Sequence, residues 1–378
     1  MKTPERIAES RRLRVRLWSA EEFSASGAIW DELLQRSGAD PLFMCWDWQW
    51  RWWTHHHAIL GAELCLAGVY AGAELVGLAP FYARRASVRG VLHPRRMQLL
   101  GTAWRDSASA FSEYLEILVD QACRGTVLAA VAEWLEASAW DELVLCCLRR
   151  GGAADELART HLPQIARVRE VDPLTAWRTP LPADFEEFVQ RLSPDVRRRV
   201  FNQRRKLPNA RVCYANEAEI PGYLDQMWRY SEDRWGGHEA SREFRGFYRD
   251  IAHHALRQGQ LRLSRLETND GIVSVMFNKI SGNCVYYLQS GFDPSISAGI
   301  SPGYLHFGYA IERACAEGIQ YFDFLGGSGR NRDYKRDLLT ENVPLVTYHA
   351  VRGALPRGLY AIYGACTEAI GRLREAVR

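Results

Sequence analysis

The sequence has 378 residues, of which 47% are hydrophobic and 25% are charged. This composition is typical of a water-soluble globular protein, and the length indicates two domains or one fold used twice. The 48 basic and 45 acidic residues leave a net charge of only +3. The chain as a whole therefore lacks the basic excess of a nucleic-acid-binding protein, and local charge clusters are more informative.

Cysteine and histidine spacing argues against a metal site. The nine cysteines are an odd number without a C-x-x-C pair, so we expect neither a disulfide framework nor a zinc site. His55, His56 and His57 cannot converge on one ion, because consecutive helical side chains point about 100° apart. No signal-peptide core and no apolar stretch of roughly 18 residues is present. We predict a cytoplasmic protein without a transmembrane span.

The first half of the chain predicts a mixture of strands and helices. In order, these are the strand RVRLWS, a helix at 21–36, the helix CWDWQWRWWTHH, the hairpin ELCLAGVYAGAELVGLAPFYARR, the strands RRMQLLG and SEYLEILV, a helix at 121–138 and the strand DELVLCCL. Trp46, Trp50 and Trp53 recur at i, i+4 and i+7, which predicts a buried stripe.

The second half repeats the order strand, hairpin, strand, helix, strand without obvious residue identity. Residues 172–182 contain prolines and predict a linker or crossover between the halves. An amphipathic helix is expected at 355–375. The hairpins argue against a purely parallel sheet. We therefore predict an α/β fold with mixed sheets, built from two related units at 1–172 and 173–378.

The segment SAGISPG predicts a turn that leads into a helix. Ser301 suits the N-cap, Pro302 the first helical position, and Gly318 the position after the helix. Gly299 and Gly303 allow another group to approach the backbone, and a helix N-terminus favours an anion. The alternative is a well-capped structural helix with nothing bound.

The segment 194–207 concentrates six basic residues in ten positions. On one helix, Arg197 would lie above Arg204 and Arg198 above Arg205, while Val196, Val200, Gln203 and Leu207 would form a separate stripe. Such a basic face is either solvated or a surface for a polyanion. tRNA, a nucleotide sugar, a carrier protein and anionic lipid all remain open as partners.

Four stretches resemble the tandem GNAT proteins grouped with CelD-type cellulose and exopolysaccharide biosynthesis acetyltransferases, and more distantly the FemAB-like peptidyltransferases. They are PLFMCWDWQWRWW, LSPDVRRRVFNQRRKL, GFDPSISAGISPGYLHFGYAIERACAEGIQYFDFLGG and RDYKRDL. The resemblance extends over most of the chain from about residue 41 to 350. The resemblance implies two tandem GNAT units, the first with a degenerate donor site, and acyl-CoA, most simply acetyl-CoA, as co-substrate.

The sequence departs from the family in two places. The usual phosphate loop, Gln/Arg-x-x-Gly-x-Gly/Ala, is replaced by SAGISPG, which leaves acyl-CoA, an acyl carrier protein or aminoacyl-tRNA open as donor. Glu113 stands where relatives commonly show Asp-Tyr, so a carboxylate is retained.

The resemblance also implies roles for individual residues in direct acyl transfer to an amine or hydroxyl. Such transfer needs a base for the acceptor proton and stabilisation of the carbonyl oxygen. The candidate catalytic residues are Glu113, Asp323 and Lys335. The candidate donor-binding residues are Gly299, Ser301, Gly303 and Tyr304. The candidate substrate-binding residues are Tyr287 and Gln289, expected on one strand face, with Tyr334, Arg198 and Arg205.

Each catalytic candidate has a structural alternative. Asp323 would instead cap a nearby turn, and Lys335 would lie on a solvated surface. Two other functions stay open for the chain: aminoacyl transfer from tRNA, and a non-catalytic scaffold in a polysaccharide assembly. No G-x-S-x-G motif occurs, which favours direct transfer over a covalent enzyme intermediate. The acceptor is a small molecule or glycan precursor.

Overall fold

The computed structural model describes residues 13–87, 93–106, 109–207, 209–235, 241–296, 299–326 and 335–353. The chain divides into two compact units. Unit 1 runs to Pro173 and also includes the residues from Leu345 on, whereas unit 2 is Leu174–Pro344. The last described strand thus groups with unit 1, although the predicted boundaries assign it to the second half.

Unit 1 is a mixed sheet with helices. Its strands are β1 (Arg14–Leu17), β2 (Glu63–Ala71), β3 (Glu74–Arg85), β4 (Arg95–Leu99), β5 (Leu118–Val119), β6 (Glu142–Arg149) and, from Leu345 on, β13 (Glu341–Val351). Its helices are α1 (Ala20–Ala25), α2 (Gly27–Ser37), α3 (Trp46–Leu60), α4 (Arg124–Ala137) and α5 (Ala153–Glu156). The strand order is β1-β2-β3-β4-β6-β13, with β5 beside β3. β4 and β6 are parallel, and β2 and β3 form the predicted antiparallel hairpin.

Two local predictions for unit 1 are wrong. Only Leu118–Val119 of the predicted strand SEYLEILV forms a named strand. Of the predicted buried stripe in α3, Trp53 is buried, but Trp46 and Trp50 are partly exposed and stack on each other. The fully buried tryptophans are Trp48 and Trp52. Tryptophans occupy both faces of α3 at i, i+4 spacing, so periodicity alone cannot select the buried face.

Unit 2 repeats the mixed arrangement. Its strands are β7 (Arg167–Pro180) from residue 174 on, β8 (Arg211–Tyr214), β9 (Leu261–Thr268), β10 (Gly271–Ser281), β11 (Cys284–Phe292) and β12 (Tyr321–Gly326). Its helices are α6 (Phe185–Arg191), α7 (Pro194–Val200), α8 (Ile220–Trp235), α9 (Arg242–Arg257) and α10 (Pro302–Ala316). The strand order is β7-β12-β11-β10-β9-β8, with β11 and β12 parallel.

Most of the segment 172–182, predicted as a linker or crossover, lies in strand β7 rather than in a linker, and the division between the two units falls within it, between Pro173 and Leu174. Pro180 is compatible with this strand because it is the last residue, where a missing N–H is tolerated. The helix predicted at 355–375 lies outside the described residues. Within the described ranges, no helix combines the length and apolarity needed to cross a bilayer.

The core of unit 2 forms around α6 and α10. Phe185, Phe188, Val189 and Leu192 are buried, as the sequence predicts. They belong to one cluster with Phe307 of α10 and the aromatic side chains of β12. Burial of such side chains removes apolar surface from water, which holds α10 against the sheet.

α7 and α10 cross closely at Gly308. A Cβ atom at this position would lie 2.1 Å from the carbonyl oxygen of Val200. Real side-chain atoms do not approach a backbone oxygen so closely, so only glycine permits this crossing. The crossing positions the start of α10 next to the segment that follows α7.

His306 joins α10 to the sheet through hydrogen bonds. Its Nε2 lies 2.9 Å from Ser264 Oγ on β9, and its Nδ1 lies 2.7 Å from Ser274 Oγ on β10. A neutral imidazole satisfies both serines, donating from one nitrogen and accepting at the other. Burial lowers the pKa of His306 to about 3, so the ring stays neutral in the folded protein.

Replacing Gly308 tests the helix crossing. We expect Gly308→Ala to lower the free energy of unfolding by about 1–3 kcal/mol, because the added methyl group forces α7 and α10 apart. Gly125→Ala in α4 is the matched control, since nothing lies within 4 Å of a Cβ there. The control gains about 0.5–1 kcal/mol from helix propensity. Urea unfolding measures the free energy of unfolding of both variants. An equal increase for Gly308→Ala and Gly125→Ala would contradict the close crossing.

His306 predicts an acid-sensitive stability. Between about pH 6.5 and pH 3, His306 binds a proton in the unfolded chain but not in the folded chain. The free energy of unfolding therefore decreases as the pH is lowered through this window. When the pH is lowered from about 7 to about 5, we expect the free energy of unfolding of the wild type to decrease by about 2 kcal/mol more than that of His306→Gln. The amide of this glutamine can still form hydrogen bonds with both serines. The measurement is urea unfolding at each pH, with His161→Gln as control. A wild-type slope equal to that of His306→Gln would refute the assignment.

Candidate functional site

The parallel strands β11 and β12 stop pairing partway along their length. Their ladder ends at Tyr286 and Asp323, yet β11 continues to Phe292 and β12 to Gly326. Beyond this point β11 still pairs with β10 on its outer edge, and Gly326 of β12 pairs with Ala176 of β7. The pairing between these two parallel strands therefore ends before their carboxyl ends, which separates their facing edges. Ligands bind at such openings in α/β sheets.

A β-bulge at Leu288 changes which side chains of β11 share a face. Tyr287 pairs with Asn278 and Gln289 pairs with Phe277, which leaves Leu288 as the extra residue. Cross-strand partners lie on the same face, and neighbours on one strand lie on opposite faces. Tyr287 and Gln289 therefore point to opposite faces, and the prediction that they share one is wrong.

Tyr287 faces α10, whereas the amide of Gln289 bonds locally. The ring of Tyr287 meets Phe307 edge-to-face at 4.9 Å between centroids, and its hydroxyl lies 2.6 Å from Ser290 Oγ. Gln289 Oε1 accepts a hydrogen bond from the Ser290 backbone N–H. Both side chains are partly exposed. Their roles in substrate binding stay predictions.

The turn before α10 is held by Gln203. Gly299 has a φ of +104°, and its carbonyl oxygen accepts hydrogen bonds from Gln203 Nε2 at 2.9 Å and Lys206 Nζ at 3.0 Å. Gln203 Oε1 in turn accepts from the Ser301 N–H at 2.8 Å. The buried glutamine thus satisfies both ends of the turn. The position of Gln203 in a predicted apolar stripe indicates such a buried role, but Gln203 is not among the predicted site residues.

Gly303 faces open space at the start of α10. Nothing lies within 4 Å of a Cβ added there. Ser301 occupies the predicted N-cap position, but its hydroxyl makes no capping hydrogen bond. Ser301 therefore supplies no side-chain acceptor to the first turn of α10. An N-terminus of this kind can bind an anion through backbone N–H groups and the helix dipole.

Tyr304 is engaged by the neighbouring segments. Its hydroxyl donates to Asp337 Oδ2 at 2.9 Å, and the guanidinium of Arg199 lies 4.2 Å from its ring centroid. Burial, together with the bond to Asp337, raises the pKa of Tyr304 above its usual value. The phenol therefore stays neutral and helps hold the first turn of α10 in place.

The basic segment is not one continuous helix. α7 ends at Val200, and a 3₁₀ turn follows over Asn202–Lys206. The predicted stacking of Arg197 on Arg204 and of Arg198 on Arg205 is therefore wrong, because the 3₁₀ turn rotates each residue by a larger angle.

The basic side chains divide into internal and exposed groups. Arg197 donates to backbone carbonyls at the end of α6, and Arg204 pairs with Glu312 at 2.8 Å on α10. Arg198 and Arg205 are exposed. Arg198 pairs with Asp195, whereas no described residue forms an ion pair with Arg205. Only part of the basic segment is thus available for an external anion.

Asp323 and Lys335 bind the same end of β12. Asp323 is buried, and its Oδ1 accepts from the Leu325 N–H at 2.8 Å. Leu325 has a φ of +58°, unusual for a branched residue, so this bond supports a strained turn. The structural alternative foreseen for Asp323 is therefore present in the geometry. Arg178 Nε lies 4.0 Å from its other oxygen.

Lys335 is buried rather than on a solvated surface. Its Nζ donates to the carbonyl oxygens of Phe324, Leu325 and Gly326. These three bonds use all three donors of an ammonium group. Lys335 therefore supplies a fixed positive charge at the end of β12, and hydrogen bonding to a ligand would require it to release a carbonyl.

The remaining predicted site residues include Glu113 and Tyr334. Glu113 is buried in unit 1, whereas Asp323 and Lys335 lie in unit 2. Tyr334 lies outside the described residues. In the described part of the chain, no cluster of three His, Cys, Asp or Glu side chains has the arrangement of a metal site.

Comparisons with known proteins agree with this fold. Residues 194–336 match the family model described as "Acetyltransferase (GNAT) domain". No curated protein matches the sequence significantly. The resemblance to the CelD-like group stays a prediction.

Solved structures similar to the chain include the following three. FemX has a TM-score of 0.61 at 10% identity, covering 92% of this chain and 99% of FemX. A conserved protein of unknown function from Bacteroides thetaiotaomicron has a TM-score of 0.54 at 11% identity, covering 90% and 100%. The C-terminal domain of a putative lysylphosphatidylglycerol synthetase from Agrobacterium fabrum has a TM-score of 0.50 at 10% identity, covering 90% and 96%.

At these identities the likeness establishes the fold alone. The predicted mixed α/β class with GNAT-type units is confirmed, and so is the prediction of an enzyme. The chain contains an acetyltransferase domain of the GNAT type at residues 194–336.

Proposed function

We propose that the protein transfers an acyl group, most simply acetyl, from acyl-CoA to an amine or hydroxyl of a sugar, amino acid or envelope precursor. One observation carries this proposal: the start of α10, with Gly303 open and Ser301 not capping, follows β11 where its pairing with β12 has ended. A phosphate-bearing donor whose extended arm lies along a strand edge fits this arrangement.

The donor would use two features of unit 2. Its diphosphate would bind the N–H groups at Gly303 and Tyr304, with Arg205 and Lys206 supplying positive charge nearby. The amide groups of its pantetheine arm would lie along the edge of β11 beyond Tyr286, where β11 no longer pairs with β12. Because Ser301 N–H already donates to Gln203, Ser301 and Gly299 contribute the shape of the turn rather than direct hydrogen bonds.

The transfer itself would be direct. The acceptor nitrogen or oxygen attacks the thioester carbonyl carbon, the C–S bond breaks, and CoA leaves as thiolate or thiol. We assign the acceptor proton to the Asp323 carboxylate, at the last position of β12 that pairs with β11, and stabilisation of the carbonyl oxygen to the fixed charge of Lys335.

Acceptor binding is assigned to residues with partly exposed side chains. Tyr287 on the α10 face and Arg198 are the candidates in unit 2, and Tyr334 and Gln289 remain weaker candidates. Glu113 is retained as a carboxylate of unit 1. From the CelD-like resemblance we further propose a cytoplasmic location and a role in exopolysaccharide biosynthesis.

Aminoacyl transfer from tRNA is the second candidate. The exposed Arg198 and Arg205 favour it, because phosphate contacts dominate nucleic-acid affinity. One structural neighbour, the C-terminal domain of a putative lysylphosphatidylglycerol synthetase, is compatible with aminoacyl transfer. The basic segment would accept an acyl carrier protein equally well. A non-catalytic scaffold is disfavoured by the acetyltransferase domain.

Thermal unfolding with acetyl-CoA tests the donor site. Binding to the native state should raise the unfolding midpoint, with a rise that grows with ligand concentration. We expect Gly303→Trp to lose the rise, because the indole would fill the open space at the start of α10. Gly125→Trp is the matched control: Gly125 is the second residue of α4, as Gly303 is of α10, and both face open space.

The outcomes separate the donors. A rise retained in Gly125→Trp and lost in Gly303→Trp supports acyl-CoA. If neither acetyl-CoA nor longer acyl-CoAs change the midpoint, the acyl-CoA proposal fails. Activity that ribonuclease destroys would then identify aminoacyl-tRNA as donor.

Asp323→Asn tests the proposed base. An asparagine Oδ1 can still accept from the Leu325 N–H, so we expect the folded stability to be nearly unchanged. Loss of the basic carboxylate should lower kcat by about 100-fold with little change in KM for the donor. Steady-state kinetics with Asp184→Asn as control provides the measurement. An unchanged kcat would leave Asp323 with its structural role alone.

A further inference from the structure

Unit 1 contains a cavity of about 250 Å³ that the proposed donor site does not use. Residues 37–40, the segment 114–117 and residues 149–153 line it. The segment 114–117 runs beside the end of β6, where Leu115 bridges to Leu148. The cavity therefore lies at the carboxyl end of β6, against the end of α2.

Arg149 provides an available cation on the cavity wall. Its side chain is exposed, and its guanidinium lies 5.0 Å from the ring centroid of Tyr114. No described residue forms an ion pair with it, whereas Arg124 and Arg150 pair with Glu156 and Glu170. The ring of Tyr114 restricts where the guanidinium can move. Arg149 is thus oriented before any ligand binds.

The backbone of Tyr114 is strained at the same place. Tyr114 has a φ of +53° and is almost fully buried. A left-handed conformation costs a non-glycine residue free energy, and such strain is concentrated at ligand sites. Here it directs the ring toward Arg149.

Glu116 provides an acidic group on the cavity lining. Its carboxyl oxygens accept hydrogen bonds from the N–H groups of Ile117, Ala153 and Ala154. A Cβ at Gly152 would lie 2.0 Å from Oε2, so a larger residue there would displace this carboxyl. Burial raises the pKa of Glu116 to about 7. Near neutral pH the group is therefore able both to accept and to donate a hydrogen bond.

We propose that this cavity binds a small ligand whose carboxylate or phosphate pairs with Arg149 and whose hydroxyl or amino group meets Glu116. The volume lies just below the roughly 300–1,000 Å³ of usual ligand pockets, so the ligand is smaller than a nucleotide. A hydroxy acid, an amino acid or a short sugar phosphate has the required size and charge. The proposal does not depend on the donor assignment, because all lining residues belong to unit 1.

The test is thermal unfolding of the full chain with inorganic phosphate, glycerol 3-phosphate, L-serine, L-lactate and glycerol, each at matched ionic strength. We expect at least one anion to raise the midpoint, with a rise that grows with its concentration, and glycerol to have no effect. A comparison of the two phosphate compounds with L-serine and L-lactate identifies whether the cavity binds a phosphate or a carboxylate group.

Arg149→Gln should weaken binding of the effective anion at least about tenfold, the loss expected for a charge-assisted hydrogen bond. The matched control is Arg14→Gln, an exposed arginine of unit 1 that does not line the cavity. Control and wild type should bind alike. The proposal is overturned if no anion raises the midpoint, or if Arg149→Gln binds as tightly as the control.

Discussion

The close crossing of α7 and α10 at Gly308 is the constraint on which the rest of unit 2 depends. Because Gly308 has no Cβ, the carbonyl of Val200 can reach the surface of α10. The chain then turns directly after Val200, and this brings Gln203 to the loop that begins α10. One amide side chain satisfies a carbonyl and an N–H of that loop. A glycine in the middle of a helix thus determines the shape of a turn two helical turns away.

Two buried charged groups at the end of β12 also depend on hydrogen bonds to one short backbone segment. Asp323 and Lys335 both bond to backbone of the segment 324–326, one accepting and one donating. A buried charge without partners would cost several kcal/mol, so each group is tolerated only through these bonds. The same bonds keep a negative and a positive charge fixed where β11 and β12 stop pairing. Fixed charges of this kind stabilise a reaction without having to reorganise.

The sequence predicted the features that depend on neighbouring residues. The start of α10 at Pro302, its end before Gly318 and the buried face of α6 are local patterns of capping and periodicity, and the structure has them. The bulge at Leu288 and the end of α7 at Val200 depend on partners distant in sequence, so no local pattern indicated them. Among the candidate site residues, the open position of Gly303 followed from its sequence context, whereas the burial of Lys335 did not, because it depends on the path of β12.

The positions of β7 and β13 in the sheets affect the order in which the two units can fold. β13, at the end of the described chain, pairs with β6 in unit 1, while β7, whose residues from Leu174 on belong to unit 2, pairs with β12. During synthesis, therefore, the sheet of unit 1 is incomplete until residues 345–351 have been made, long after β6. Until then β6 presents an edge that a strand from another chain could join. A tandem duplication with each half closing its own sheet would avoid this delay, so the observed arrangement ties the folding of the first unit to completion of the second.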